Sequence, residues 1–276
     1  MKLIGIGDNV LDCYLWRKEL YPGGNSVNVP VLAHRYDGSE AGYIGVLADD
    51  APGRHFAAAL QEEQVDVSRV RIVQGQSACN YIALDEAGDR SFTGDNGRET
   101  VQWKTRLMFT PADYAAMEQY DLAHTSIHSW LNDYHPAISR HVLLSLDFSG
   151  EYNRVNIARV CPLLRFAFFS GGDNSEEEAR AVARSALEAG ARTVVVTMGT
   201  RGSYILEQHR EHRQQAVMVD AVDTLGAGDA FIAAFLAEYH TTGGEIARAA
   251  EKASVFAAEC CKHYGAFGHA LPWKEE

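Results

Sequence analysis

The chain has 276 residues, of which 46% are hydrophobic and 22% charged, and its formal net charge is −12. That size and apolar content suit one large α/β domain or two small ones and exclude a disordered chain. The acidic balance excludes a nucleic-acid coat, which needs a basic face, but leaves room for an anion held in a local pocket.

No run of 18 apolar residues occurs and no signal pattern follows Met1, so a cytoplasmic protein is expected. The five cysteines, Cys13, Cys79, Cys161, Cys260 and Cys261, are scattered and lack a C-x-x-C pattern, which predicts free, mostly buried thiols.

In chain order, KLIGIG predicts a first buried strand that stops at Gly7-Asp8. LDCYLWRKELYPGG follows at once and reads as a hairpin, and SVNVPVLAHRY has helical spacing. EAGYIGVLADD predicts a second buried strand. PGRHFAAALQEEQV predicts an amphipathic helix with Pro52 in its first turn, where the missing N–H costs nothing. SACNYIALDEAGDRSFTGDNG alternates on both sides of a turn at Glu86-Ala87-Gly88-Asp89. DLAHTSI, LLSLDFS and RFAFFSGG are further apolar runs, the first two with polar residues at their C-terminal ends. SEEEARAVARSALEAG predicts a helix that Ser175 caps and Gly190 closes, with Glu176 to Glu178 at its positive end. TVVVTMG is a β-branched strand, and EQHREHRQQ reads as a charged turn between strands. Strands that alternate with helices predict βαβ units and a mostly parallel sheet, with ligands beyond the C-terminal strand ends. Asp8, Asp147 and Thr197 stand at such ends. The two excursions, about 11–22 and 76–103, are too polar on one face for that sheet and predict a small antiparallel β flap.

DTLGAGDAF, residues 223–231, precedes a long apolar run. Glycines that open a helix let backbone approach a ligand, and the unpaired first-turn amides attract anions. Within such a site Asp229 suits a base that takes a proton from an attacking hydroxyl, while the Gly226, Ala227 and Gly228 amides hold charge on a phosphoryl group. The alternative from spacing alone is a tight helix cap, with Asp229 satisfying the first-turn amides. G-x-x-x-x-G-K-[ST] is absent, so a nucleotide site here is not a P-loop.

DTLGAGDAF resembles the C-terminal signature of the ribokinase-like, PfkB-type carbohydrate kinase family, D-T-x-G-A-G-D-x-F. GGNSVNVPVLAHRYDGSEAGYIGVLADDAPGRHF resembles the N-terminal signature, and VVVTMGTRGSYI the nucleotide-side strand and turn. The resemblance implies one ribokinase-like α/β domain over 1–276, a three-layer α/β/α sandwich whose mostly parallel sheet carries a small β lid. It implies Asp229 as catalytic base and Gly226, Ala227 and Gly228 as anion hole. It implies sugar contacts from Asp8, Asp12, Gly23, Gly24 and Asn28, and nucleotide contacts from Thr197, Gly199, Gly202 and Thr224. ATP is then the co-substrate, Mg2+ the expected ion, and a monovalent cation near Asp223 an option. The family's N-x-x-E motif is altered: Ser170 and Asp173 stand at its place, with Asn174 and Glu177 as a shifted pair, so the metal ligands stay unassigned.

Gly7-Asp8-Asn9, TVVVTMGTRGS and KHYGAFG are similar to the fructoselysine 6-kinase branch, which implies O6 phosphorylation of a fructosyl amine. Asp85, Glu86, Asp89, Asp95 and Glu99 on the flap would favour a cationic amine, although acids on an exposed hairpin also suit a solvated face. A plain ketohexose, a nucleoside or a small sugar alcohol are alternative acceptors, and a non-catalytic sugar- or nucleotide-binding regulator is an alternative of another class. His124 and His128 have zinc-compatible spacing but no third ligand, and His128, Trp130 and Asn132 are candidates to line the sugar pocket. Cys260 and Cys261 are expected to pack beside the adenine. Tyr14, Trp16, Tyr81 and Phe92 would either pair two lids in a homodimer or cover this chain's own sugar.

Overall fold

The computed structural model describes residues 1–84, 90–172 and 174–273. The chain starts with β1 (Lys2–Gly7), crosses to β2 (Val10–Tyr14) and β3 (Glu19–Gly23), and enters α1 (Asn25–Asp37). There follow β4 (Glu40–Ala48), α2 (Ala51–Glu62), β5 (Arg71–Val73), β6 (Cys79–Leu84), β7 (Arg90–Asp95), α3 (Val101–Lys104) and α4 (Pro111–Met117). The middle holds β8 (Leu122–Ser126), α5 (His135–Ile138), β9 (Leu143–Asp147), α6 (Arg154–Val160), β10 (Phe166–Ser170) and α7 (Glu176–Glu188). The last part contains β11 (Thr193–Thr197), β12 (Ser203–Glu207), β13 (Arg210–Gln214), α8 (Ala227–Thr241), α9 (Ile246–Cys260) and β14 (Leu271–Pro272).

Among the described residues nine strands form one sheet in the order β13-β12-β11-β10-β9-β8-β1-β4-β5. The pairs from β5 to β11 run parallel, and only β12 and β13 are antiparallel at the edge. Both faces are covered, which is why these strands read as continuous apolar runs. Leu3, Phe168 and Val195 pack with α1, α8 and α9 on one face. Ile4, Phe169, Val194 and Val196 pack with Met117, Ile138, Ile157 and Ala183 on the other. Neighbouring residues of one strand thus enter opposite cores, as the period of two requires. This is the three-layer sandwich that the family resemblance implied.

Local signals account for the helix ends. Ser175 Oγ accepts from Glu178 N at 3.2 Å while Glu178 Oε2 accepts from Ser175 N at 2.7 Å, a reciprocal capping box at the start of α7. Asp50 caps α2 by accepting from Gly53 N at 2.8 Å, with Pro52 in the first turn. The interior of α8, Ala230 to Ala237, is buried throughout because α1 and α9 enclose it.

The smaller sheet has the order β14-β3-β2-β6-β7. Its pairs are antiparallel except β2 with β6, which run parallel because the chain passes through the large sheet between them. The excursions therefore make a mixed sheet rather than a purely antiparallel one, and β14 from the C-terminal segment completes its edge. The expected turn at 86–89, and Asp85 beside it, lie outside the described residues. Two further expectations are corrected. Residues 207–215 are largely strand, since β13 pairs with β12 and leaves only residues 208–209 for the turn. Tyr14 is wholly buried against Tyr21 and Tyr264, so it cannot face a second copy, whereas Phe92 is exposed. Among the described residues no helix is long and apolar enough to cross a membrane.

Candidate active site

The parallel strands β1, β8, β9, β10 and β11 end on one edge of the large sheet, at Gly7-Asp8, Ser126, Asp147, Ser170 and Thr197. The N-terminus of α8 carries Gly226, Ala227, Gly228 and Asp229 and meets the start of α1 there. Gly226 adopts φ 81°, and a Cβ on it would lie 2.6 Å from Ala266 Cβ, so both conformation and space demand glycine. α8 has no side-chain cap. The carboxylate of Asp229 turns away from its own amides: Oδ1 accepts from Asn25 Nδ2 at 2.7 Å and Oδ2 from Asn28 Nδ2 at 2.6 Å. The helix-cap alternative therefore does not describe this residue, and the first-turn amides of Gly228 and Asp229 keep their affinity for an anion. Burial raises the pKa of Asp229, opposed by those two asparagine hydrogen bonds.

Asn25 joins two acids. Its Nδ2 also donates to Asp147 Oδ2 at 3.1 Å, and its Oδ1 faces His124 Nε2 at 2.8 Å. His124 Nδ1 in turn lies 2.9 Å from Ser145 Oγ. Ionised carboxylates only accept, so the Asn25 amide must point its NH2 at them and its oxygen at a donating His124 Nε2–H. Nδ1 then accepts from the Ser145 hydroxyl. Burial pushes the His124 pKa down to about 3, so the ring is neutral and fixed in that tautomer. Both its nitrogens are used, which removes it from the zinc option, and His128 is exposed. Among the described residues no group of three or more His, Cys, Asp or Glu is placed to hold a metal.

Asp147 and Asp12 are both buried, and burial is the main cause that pushes each carboxyl up to about 7. The neighbouring Asp229 charge adds to both shifts, and an Asn80 hydrogen bond at 3.5 Å opposes that of Asp12. Asp12 lies on β2 of the small sheet, and a Cβ on Gly23 would come within 2.5 Å of its Oδ2. Gly24 caps α1 at φ 103°, and a Cβ there would lie 2.7 Å from Asn9 Cα. The double glycine thus lets β3 turn into α1 while pressed against Asp12 and the end of β1. Asp8 is engaged differently: its Oδ1 accepts from Ser26 Oγ, Ser126 Oγ and Ser129 Oγ at 2.6, 2.7 and 2.6 Å. It ties α1, β8 and the turn after β8 to the end of β1.

Further along the same sheet edge, Thr197 ends β11, Gly199 opens the following turn at φ 56°, and Gly202 closes it at φ 86°. Thr224 stands in the exposed loop before α8. Asp223 in that loop is fully buried, accepting from the Tyr14 hydroxyl, from Leu225 N at 2.8 Å and from Gly265 N at 3.0 Å. In the altered N-x-x-E region, Ser170 is exposed at its strand end, Asn174 donates to Tyr152 Oη at 2.9 Å, and Glu177 is exposed on α7. Asp173 lies outside the described residues. As expected, none of the five cysteines forms a disulfide, but only Cys13 and Cys161 are fully buried and the other three are partly so; burial raises Cys260 to about 11 and Cys79 to about 12.

Asn25, Ser26, Ser129 and the role of His124 escape sequence reasoning. Asn25 carried one usable signal, its i, i+3 spacing from Asn28, which puts both amides on one face of α1. The serines carried none, because their partner, Asp8, is distant in sequence.

The chain belongs to the pfkB family of carbohydrate kinases, whose profile matches residues 11–138 and 164–274. It is 40% identical over 276 residues to fructosamine kinase FrlD of Bacillus subtilis, covering 100% of this chain and 96% of the relative. It is 32% identical to fructoselysine 6-kinase of Escherichia coli, covering 96% and 99% of the two chains. Arabidopsis thaliana ribokinase, solved with ribose and ATP, shares its fold with a TM-score of 0.80 at 20% identity, over 99% of this chain and 96% of the other. Ribokinase of Thermotoga maritima superposes with a TM-score of 0.75 at 16% identity, over 99% and 96%. The protein is a carbohydrate kinase that uses ATP.

Proposed function

We propose that this sugar kinase transfers the γ-phosphoryl group of ATP to a primary hydroxyl of a fructosyl amine of the fructoselysine type. The observation that carries the reading is the full-length likeness to a fructosamine kinase at 40% identity. The chemistry of the cleft supports it. Asp12, Asp147 and Asp229 are carboxyls whose burial and mutual repulsion disfavour ionisation. A cationic secondary amine relieves that repulsion, whereas a neutral sugar does not.

In the mechanism, Asp8, Asp12, Gly23, Gly24 and Asn28 form the sugar side of the cleft. The β2-β3-β6-β7 sheet acts as a lid that excludes water. Thr197, Gly199, Gly202 and Thr224 form the nucleotide side. ATP enters as its magnesium complex, held mainly by phosphate oxygens and waters. Asp229 accepts the proton of the primary hydroxyl. That oxygen bonds to the γ-phosphorus as the bond from phosphorus to the β,γ-bridging oxygen breaks, and ADP leaves. Of the expected Gly226, Ala227 and Gly228 amides, that of Ala227 already donates to Thr224 O at 3.2 Å, so the Gly228 and Asp229 amides and the positive end of α8 carry most of the stabilisation of the transferring group. Asn25 and Asn28 hold the two oxygens of Asp229, so the base meets the hydroxyl without searching rotamers.

The test is ADP release with MgATP on fructoselysine, other fructosyl amino acids, fructose, ribose and adenosine. Turnover is expected on the fructosyl amines. Asp229→Asn is expected to lower kcat by about 10²- to 10⁴-fold with ATP affinity retained. Turnover confined to a free sugar or nucleoside would overturn the acceptor assignment, and near-native turnover of the variant would overturn the base.

A further inference from the structure

Two tryptophans, Trp103 and the sugar-pocket candidate Trp130, stand beside the Asp8-Asn9 end of the cleft with no role yet assigned in the reaction. Trp103 on α3 and Trp130 after β8 meet edge to face, with ring centroids 4.7 Å apart and planes at 87°. They remain 44% and 59% exposed. The Arg98 guanidinium lies over the Trp103 ring, 4.9 Å from its centroid. Among the described residues it has no carboxylate partner.

Both rings are tied to the sugar side by their immediate neighbours. Ser129, next to Trp130, donates to Asp8 Oδ1 at 2.6 Å. Gln102, next to Trp103, donates from Nε2 to Asn9 Oδ1 at 2.6 Å. The pair therefore flanks the Asp8-Asn9 corner on two sides. Trp130 itself adopts φ 53° and ψ 34°, a left-handed conformation that is rare for a bulky residue. Such a backbone persists only where the surroundings impose it, and a strained, exposed aromatic beside a ligand cleft points to use rather than packing.

We propose that Trp103, Trp130 and Arg98 form a subsite for the part of the substrate beyond the sugar. The occupant is an amino-acid substituent: its carbon chain lies along the indoles and its carboxylate meets the Arg98 guanidinium. This rests on the fructosyl-amine reading and adds what selects among such amines. The acids of the cleft recognise the amine, and the rim recognises what the amine carries. An indole face is a large apolar surface that costs little side-chain entropy on binding, and a guanidinium pairs a carboxylate with two parallel hydrogen bonds.

The test compares kcat/KM at saturating MgATP for fructoselysine and for fructosyl methylamine, which has neither chain nor carboxylate. The variants are Trp130→Asn, Trp103→Ala and Arg98→Gln. Asparagine tolerates the left-handed conformation, so Trp130→Asn removes the ring and keeps the turn. Each variant is expected to lower kcat/KM for fructoselysine by about tenfold, through KM, and to leave fructosyl methylamine within about twofold. Trp130→Phe is expected to recover much of the loss, and saturating fructoselysine should change the tryptophan emission of the wild type, less in Trp130→Asn or Trp103→Ala, and not at all in the variant that lacks both indoles. If the wild type turns over fructoselysine and the variants do so with unchanged KM, this subsite is wrong and the acceptor reading stands. If both substrates lose activity equally in every variant, the rim holds the fold of the cleft and not the amino acid, and the proposal is overturned. If the wild type turns over no fructosyl amine, both readings fall together.

Discussion

Replacing Asn25 by alanine tests how the base is tuned. Asn25 Nδ2 supplies one of the two described hydrogen bonds to Asp229, at 2.7 Å, and a longer one to Asp147 at 3.1 Å. Both acceptors are stabilised in the charged form by that donor, so its removal raises the pKa of each. A hydrogen bond to a charged group contributes about 1.5–3 kcal/mol. One pH unit corresponds to about 1.4 kcal/mol, so losing the bond to Asp229 is expected to raise its pKa by about one to two units. In the proposed mechanism Asp229 serves as a base only when deprotonated. The acid limb of kcat/KM for the sugar, measured at saturating MgATP, therefore moves to higher pH by about that amount. Using one substrate for both enzymes cancels any titration of the substrate amine. The same change strands the His124 Nε2–H without its Asn25 acceptor, so stability falls by about 1–3 kcal/mol, seen as a lower Tm. A variant whose activity drops equally at every pH, with the acid limb unmoved, would refute the argument that Asn25 tunes the base.

Other outcomes follow from the same geometry. Asp12 and Asp147 have pKa values raised to about 7, so binding a cationic fructosyl amine near that pH should expel protons. Calorimetry in buffers of different ionisation enthalpy should show this for fructoselysine, and a buffer-independent enthalpy would refute it. For an acid with a raised folded pKa, the stabilising contribution is complete below the unfolded value near 4 and is lost as pH rises towards 7. The Tm of the ligand-free protein should accordingly fall across that window, and less so in Asp147→Asn. Asp113 behaves oppositely. It is fully buried, and against the upward push of that burial the Thr110 hydrogen bonds, then the paired Arg69 and Arg71, hold it down to about 2. Its contribution is present above pH 4 and lost as pH falls towards 2, and Asp113→Ala should cost about 3 kcal/mol in urea unfolding at neutral pH, because two arginines lose their partner. Gly226→Ala should abolish turnover while α8 still folds, since a side chain at φ 81° costs about 1–2 kcal/mol before its collision with Ala266. A native-like kcat in that variant would show that the anion-hole turn relaxes freely.

The alternation of apolar runs and helices was enough to anticipate the parallel sheet, because each of its elements announces itself locally by period and cap. Ser175 with Glu178, Pro52 in α2 and the glycines around Asp229 all behave as their local chemistry requires. Three features were not legible. The parallel pairing of β2 with β6 depends on how the chain returns after β4 and β5, which no residue of either strand encodes. The charged run 207–215 became strand because β12 offered it an edge, and tertiary pairing overrides local turn propensity. Tyr14 had strand spacing suited to an exposed face, yet it is buried because Tyr264, from the far end of the chain, packs against it.

The site divides in the same way. Sequence alone singled out the residue types proposed for the chemistry: an acid behind a glycine turn at a helix start, and a double glycine before an asparagine helix. These are short-range patterns, set by backbone conformation and helix electrostatics within a few residues. Only the tertiary structure decided what those residues can do. Asp229 is held by Asn25 and Asn28 from a helix about two hundred positions earlier. His124 is neutral because it is buried, and Asp12 and Asp147 are hard to ionise because folding removes their water and brings them near Asp229. Desolvation and through-space repulsion depend on distances between elements remote in sequence, so they arise only when the chain has folded.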